Sequence, residues 1–339
     1  MSSRVKPKVV MTRRIPEPGP SIIREHCMLK IRDEKTPPTH EELINLVKDA
    51  DALLCLLTDK IDREVMDAGK NLKVISTYSV GVDHIDVEEA TERGIYVCYT
   101  PGVLTQATAE FTWALLMAAA RRVVEADRYV REGKWDIGWS PDLLLGQEIK
   151  GATLGIIGLG RIGQAVARIA KGFEMKVIYY SASRKTEIER ELGVEYRELK
   201  ELLKEADFVT IHVPKTPETI NLIGEEELKL MKPTAILVNT ARGGIVNENA
   251  LYKALKERWI FAAGLDVFEK EPTPKDNPLL TLPNVVVAPH IGSATFHTRS
   301  KMAEVAALNL IKVLKGEEPL FLFNPEVKSK RPLESVKMI

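Results

Sequence analysis

Short apolar runs alternate with amphipathic stretches along most of the chain. The runs at 8–12 (KVVMT), 52–57 (ALLCLL), 74–77 and 96–98 each give way to a polar turn or to apolar positions three and four apart. The runs predict strands, and the spaced positions at 41–48 and 63–68 predict helices. Pro101-Gly102 breaks the chain. Helical patterns follow over 105–122 and 125–132, then an irregular stretch with Trp135, Trp139 and Pro141. From Gly151 onward strands are predicted at 153–157, 176–180, 208–213, 235–239, 262–266 and 285–288. A helix over 298–315 precedes a Pro-containing polar tail, which reads as partly mobile. Such alternation predicts an α/β protein with parallel sheets covered by helices. Two units are expected, one to about residue 101 and one over 102–291. The pattern leaves open whether the last helix returns to the first unit and makes that domain discontinuous.

Composition narrows the picture. At roughly 150 residues per domain, 339 residues fit two domains with sizeable cores. Lys and Arg number 48, as do Asp and Glu, so the formal net charge is zero. That balance argues against nucleic acid or an anionic membrane as partner. The apolar stretches at 50–57 and 111–120 are too short to span a bilayer. Met1-Ser-Ser-Arg-Val-Lys lacks the apolar core of a signal peptide, so the cytoplasm is the expected compartment. Cys27, Cys55 and Cys98 are too few and too scattered for a disulfide framework, and no metal site is expected.

The sharpest local signal is the loop Gly158-Leu159-Gly160-Arg161-Ile162-Gly163, entered by an apolar strand and left by a helical pattern. In G-x-G-x-x-G the first glycine permits the turn. The second lets a pyrophosphate approach the backbone, and the third lets helix pack on strand. The helix N-terminus offers N–H groups to the phosphates. The end of the next strand reads Tyr179-Tyr180-Ser181-Ala182-Ser183-Arg184-Lys185. An NAD enzyme usually places an acid there for the ribose 2′-OH. Two hydroxyls (Ser181, Ser183) and two cations (Arg184, Lys185) suit a 2′-phosphate instead, so NADP(H) is favoured and NAD(H) is the alternative.

Arg242 (NTARGG), Glu271 (EKEP) and His290 (PHIGS) follow later strands or lie on loops beside them. Carboxyl ends of strands line the ligand crevice of an open parallel sheet, so these side chains are expected to face the dinucleotide. Together with the glycine loop and Pro289-His290-Ile-Gly-Ser-Ala-Thr, they make the chain resemble the D-isomer-specific 2-hydroxyacid dehydrogenase family over nearly its whole length. Ser79-Val-Gly81-Val-Asp-His-Ile, Tyr99-Thr-Pro-Gly-Val-Leu-Thr, Met11-Thr-Arg-Arg-Ile-Pro and Arg161-Ile-Gly-Gln-Ala are similar to the glyoxylate/hydroxypyruvate reductases within it.

The resemblance implies two Rossmann-like domains. A discontinuous, flavodoxin-like substrate domain would comprise 1–101 and 292–339, and a dinucleotide-binding domain 102–291. It implies reduction of glyoxylate and hydroxypyruvate to glycolate and D-glycerate by a soluble cytoplasmic homodimer. Arg242 would bind the substrate carboxylate with the N–H groups near Val80 and Gly81, and His290 would be the proton donor. Glu271 would hold the other imidazole nitrogen; it is chosen over Glu269 because the family's Glu precedes Pro. Trp139 would close the substrate pocket, from a partner subunit or by interdomain packing. Thr108, Pro214, Thr240, Ala241, Asp266 and Gly292 would complete the cofactor site. His84, His212 and His297 match no catalytic position. D-lactate and D-3-phosphoglycerate dehydrogenases are alternatives, as is a corepressor-like NAD(H)-binding protein. Formate dehydrogenase departs at Glu271, where that branch carries Gln, and phosphite dehydrogenase at Val80, where it carries Lys.

Overall fold

A computed structural model describes residues 6–339; the segment 1–5, on which the signal-peptide reading partly rests, lies outside the described residues. The chain divides into two compact units. One comprises Met1–Leu104 and Ala294–Ile339, the other Thr105–Ser293. Val103 and Leu104 pack against the core of the first unit, which sets the boundary just past Pro101-Gly102.

The first unit is built on five parallel strands: β1 (Lys8–Met11), β2 (Met28–Ile31), β3 (Ala52–Cys55), β4 (Val74–Thr77) and β5 (Tyr96–Cys98). Their order is β2-β1-β3-β4-β5, a flavodoxin-like arrangement. β3, β4 and β5 are buried on both faces, which is why they read as unbroken apolar runs. β2 is a half-exposed edge strand and is invisible to that criterion. The helix Phe296–Leu314 lies on this sheet. Ser76 Oγ donates to Ala306 O at 2.8 Å and Tyr78 OH to Arg299 O at 2.7 Å, while Ala303, Ala306 and Leu310 are fully buried. These bonds answer what the sequence pattern left open: the closing helix belongs with the N-terminal strands. The tail after it is packed. Val327 and Val336 are fully buried, Asn324 Oδ1 accepts from Val97 N–H at 2.8 Å, and Tyr96 OH donates to Arg331 O at 2.6 Å. A polar composition concealed these few buried anchors.

The second unit carries seven parallel strands: β6 (Thr153–Ile157), β7 (Lys176–Tyr180), β8 (Glu195–Tyr196), β9 (Phe208–Ile211), β10 (Ile236–Asn239), β11 (Ala262–Leu265) and β12 (Val285–Val287). Their order is β12-β11-β10-β9-β6-β7-β8. The order reverses between β6 and β9, the crevice where dinucleotides bind in doubly wound sheets. Apolar clusters cover both faces of the sheet. β9 ends two residues sooner than the apolar run suggests, because after His212 N–H bonds Ile157 O the chain leaves the ladder. The helix Thr105–Ala120 packs on β10 and β11. Among the described residues no helix is long and apolar enough to cross a membrane.

Candidate active site

Within the second unit the glycine loop joins β6 to the helix Arg161–Ala170. Gly158 has φ +99, and a Cβ there would lie 2.8 Å from the His212 carbonyl, so the turn requires glycine. A Cβ on Gly163 would lie 2.2 Å from Gly158 O, so helix and loop close only on a hydrogen. A Cβ on Gly160, by contrast, would meet nothing within 4 Å. Gly160 is the N-cap of the helix, and no side chain caps it. The start of the helix thus faces open space at Gly160, with uncapped N–H groups at a positive helix end. The cradle fits a pyrophosphate. Leu159 N–H donates instead to Ser181 Oγ at 2.9 Å, tying the loop to the end of β7.

Beyond β7, Ser183 and Arg184 are exposed and Lys185 is half-buried. Arg184 is not a loose surface cation. Its Nε and Nη2 donate to the two oxygens of Glu189 at 2.8 and 2.9 Å. Tyr179 OH also donates to Glu189, at 2.6 Å, and accepts from Lys185 N–H at 2.8 Å. The Arg184 hydrogen bonds, then that of Tyr179, hold the Glu189 carboxyl down to about 2.

Asp266 follows β11 and organises the loop after β12. Its Oδ1 accepts from Ile291 N–H and its Oδ2 from Gly292 N–H, both at 2.7 Å, while its carbonyl accepts from His290 N–H at 2.9 Å. Burial raises the Asp266 carboxyl despite these bonds. Thr108 is buried beside the same loop, 3.5 Å from where a Cβ of Gly292 would stand. His290 is held at φ +56, in the left-handed region. Its Nδ1 lies 2.7 Å from Glu271 Oε2, and Glu271 Oε1 accepts from Phe268 N–H at 3.0 Å. Burial pushes the Glu271 carboxyl up. The His290 hydrogen bond and charge, the Phe268 N–H and the charge of Arg242 outweigh it, and the net shift is downward. Glu269 points elsewhere: it exchanges hydrogen bonds with Glu248.

Arg242 stands on the turn after β10. Asn239 staples this turn, accepting from Ala241 N–H at 3.0 Å and donating to Arg242 O at 2.9 Å. Thr240 is buried and its hydroxyl meets that of Thr112 at 2.8 Å. The turn abuts the Glu271 loop so closely that a Cβ on Gly243 would lie 1.7 Å from Phe268 O. Pro214 lies on the exposed turn after β9, where its carbonyl accepts from Thr219. Trp139 is 85% exposed on an arm that also presents Trp135, Ile137 and Leu145.

In the first unit, Val80 and Gly81 follow β4. Ser79 Oγ donates to Gly81 O at 2.7 Å and also meets Thr77 Oγ1 at 2.7 Å, which lies 3.0 Å from His84 Nε2. Among the described residues, the N–H groups of Val80 and Gly81 have no acceptor. Paired free N–H groups on a braced turn suit an anion.

Residues 113–292, just over half of the chain, match the D-isomer specific 2-hydroxyacid dehydrogenase, NAD binding domain. The glyoxylate reductase of Korarchaeum cryptofilum is 59% identical over 328 residues, spanning 97% of this chain and 99% of that protein. The chain belongs to the D-isomer specific 2-hydroxyacid dehydrogenase family. Among solved structures, the TT0316 protein from Thermus thermophilus superposes on this dehydrogenase with a TM-score of 0.88 at 50% identity, covering 93% of this chain and 99% of that one. The NADPH-dependent glyoxylate/hydroxypyruvate reductase from Sinorhizobium meliloti, solved with NADP and malonate, gives 0.83 at 30% identity, covering 95% and 98%.

Three residues that brace the candidate site carry no mark in the sequence pattern that singles them out. Glu189 and Tyr179 bracket Arg184, and Asn239 shapes the Arg242 turn. Asn239 carries a weak signal, an Asn just before a turn. For the acid five residues past Arg184 there was no signal at all.

Proposed function

We propose that this dehydrogenase reduces glyoxylate and hydroxypyruvate to glycolate and D-glycerate, with NADPH favoured over NADH. The observation that carries the reading is the His290–Glu271 pair at 2.7 Å, on a loop that Asp266 fastens. Because Nδ1 is bound to Glu271, Nε2 is the nitrogen left to give a proton to a substrate carbonyl oxygen. Glu271, held below its ordinary range, stays ionised and fixes the ring. Arg242 binds the substrate carboxylate and polarises the adjacent carbonyl, while the Val80 and Gly81 N–H groups bind a carboxylate oxygen. When bound, the nicotinamide cofactor supplies the hydride. Asp266, Gly292 and Thr108 keep the His290 loop in register with the cofactor site, and Thr240, Ala241 and Pro214 line it.

The dinucleotide binds to the unit 105–293, and 1–104 with 294–339 forms the substrate domain. The absence of an acid directly after β7, with Ser181, Ser183, Arg184 and Lys185 there, supports NADPH. The Sinorhizobium meliloti relative, described as NADPH-dependent, supports it too. A homodimer fits the arm bearing Trp135, Ile137, Trp139 and Leu145, whose exposed apolar surface suits a second copy of this chain. Trp139 would reach the partner's pocket. Three buried free thiols suit the reducing cytoplasm.

The test is a steady-state panel of glyoxylate, hydroxypyruvate and pyruvate with both reduced cofactors. Turnover on the first two should reach about 1–1,000 per second, with the higher kcat/KM for NADPH. Binding of dinucleotide without turnover on either acid would refute the enzyme reading and favour a corepressor-like role. A preference for pyruvate would favour D-lactate chemistry.

A further inference from the structure

We propose that Glu189 is a positioning residue for cofactor choice: it holds the Arg184 guanidinium beyond the end of β7 in the orientation that receives the ribose 2′-phosphate. The inference rests on the NADPH reading above and deepens it.

Arginine has five N–H donors in a planar fork. In Arg184, Nε and one N–H of Nη2 are spent on the Glu189 carboxylate in a bidentate pair at 2.8 and 2.9 Å. The opposite edge, formed by Nη1 and the second Nη2 hydrogen, has no acceptor among the described residues and keeps its geometry for a second bidentate anion. The two partners are unequally exposed. The Arg184 side chain is 61% accessible and that of Glu189 only 14%, so the acid is the inner anchor and the guanidinium the outer face. The anchor is itself anchored. Tyr179 is fully buried and donates to Glu189 at 2.6 Å. Its ring meets Tyr196 edge-on at 5.5 Å, and the Arg184 guanidinium lies over the Tyr196 ring at 5.7 Å. Lys185 N–H donates to the same Tyr179 hydroxyl at 2.8 Å, which fixes the backbone that carries both cations.

Two effects of Glu189 oppose each other. Its charge offsets that of Arg184 and weakens the attraction for a phosphate. Its geometry removes the rotamer freedom that a long exposed side chain would otherwise lose on binding. Directional pairing at a mostly solvated site favours the second effect, because exposed charge alone is screened. Glu189 also cannot take the place of the acid that NAD enzymes use for the 2′-OH, since both its oxygens are already engaged. The bracket therefore discriminates twice, presenting a cation to the phosphate and withholding an acceptor from the hydroxyl.

The experiment measures Kd for NADPH and NADH, by fluorescence titration of the full-length protein. It compares wild type, Glu189→Ala, Glu189→Gln, Arg184→Ala and the Arg184→Ala/Glu189→Ala double variant. Arg184→Ala and Glu189→Ala should each weaken NADPH by about tenfold and NADH by less than about twofold. Glu189→Gln, which keeps one acceptor and the size, should fall between wild type and Glu189→Ala. The double variant should be no worse than Arg184→Ala, because Glu189 acts only through Arg184. NADPH binding as tight as wild type or tighter in Glu189→Ala, with the Arg184→Ala loss intact, would overturn the inference and leave Glu189 as a mere neutraliser. So would equal losses for both cofactors in Glu189→Ala, or additive effects in the double variant. An unchanged NADPH-to-NADH ratio in Arg184→Ala would instead overturn the phosphate reading itself, and the inference with it.

Discussion

His290 adopts φ +56, a conformation that costs a non-glycine residue on the order of 1–3 kcal/mol. It is retained because its neighbours over-determine it. Asp266 accepts three backbone N–H groups, from His290 through Gly292, and Glu271 fixes the ring. The strain thus sits on the side chain assigned the proton transfer. His290→Ala should lower kcat by about 10²–10⁴-fold, the range for loss of a general acid, while Kd for the cofactor changes little. A variant that lost cofactor binding in parallel would show that the ring serves structure instead. The sequence offered Arg242, Glu271 and His290 as candidates, but not Asp266's grip on the loop, because hydrogen bonds to backbone N–H leave no residue pattern to read.

At the scale of elements, the turn from β6 into the helix Arg161–Ala170 is the most constrained piece of chain. Gly163→Val would drive a Cβ to 2.2 Å from Gly158 O, a backbone atom that cannot swing aside. Overpacking of this kind costs about 1–3 kcal/mol or more and would push the helix away from its strand. Lower thermal stability and weakened binding of both NADPH and NADH are expected, measured by melting with and without cofactor. Gly172→Ala, whose Cβ would meet nothing within 4 Å, should stay within about 0.5 kcal/mol of wild type. If the two variants melted alike, close packing at Gly163 would not be what holds the turn. Strands buried on both faces were legible as apolar runs, whereas β2 and the two-residue β8 lie at sheet edges with partly exposed faces and were not.

Over the whole molecule, acid sensitivity should trace partly to His212, at the crevice where β6 and β9 part. Its Nε2 is cut off from solvent without a partner among the described residues, and burial pushes the imidazole down to about 3 from an ordinary 6.5. An unfolded chain takes up this proton below pH 6.5, and the folded one refuses it until about 3. Stability from this group is therefore complete above pH 6.5 and is lost as pH falls through that window, at up to about 1.4 kcal/mol per pH unit. Denaturant unfolding at pH 7, 5.5 and 4 should show His212→Gln with a shallower pH slope than wild type; identical slopes would contradict the assignment. The sequence by itself determined the α/β class, the glycine loop, the family and the three candidate catalytic side chains. These depend on local periodicity and on residue types at fixed spacing. Only the tertiary structure decided that the polar tail packs on the N-terminal sheet, that Asp266 fastens the His290 loop, and that Glu189 holds Arg184. Each of those depends on contacts between segments whose proximity is set by how the sheets order their strands, and no local pattern encodes that distance.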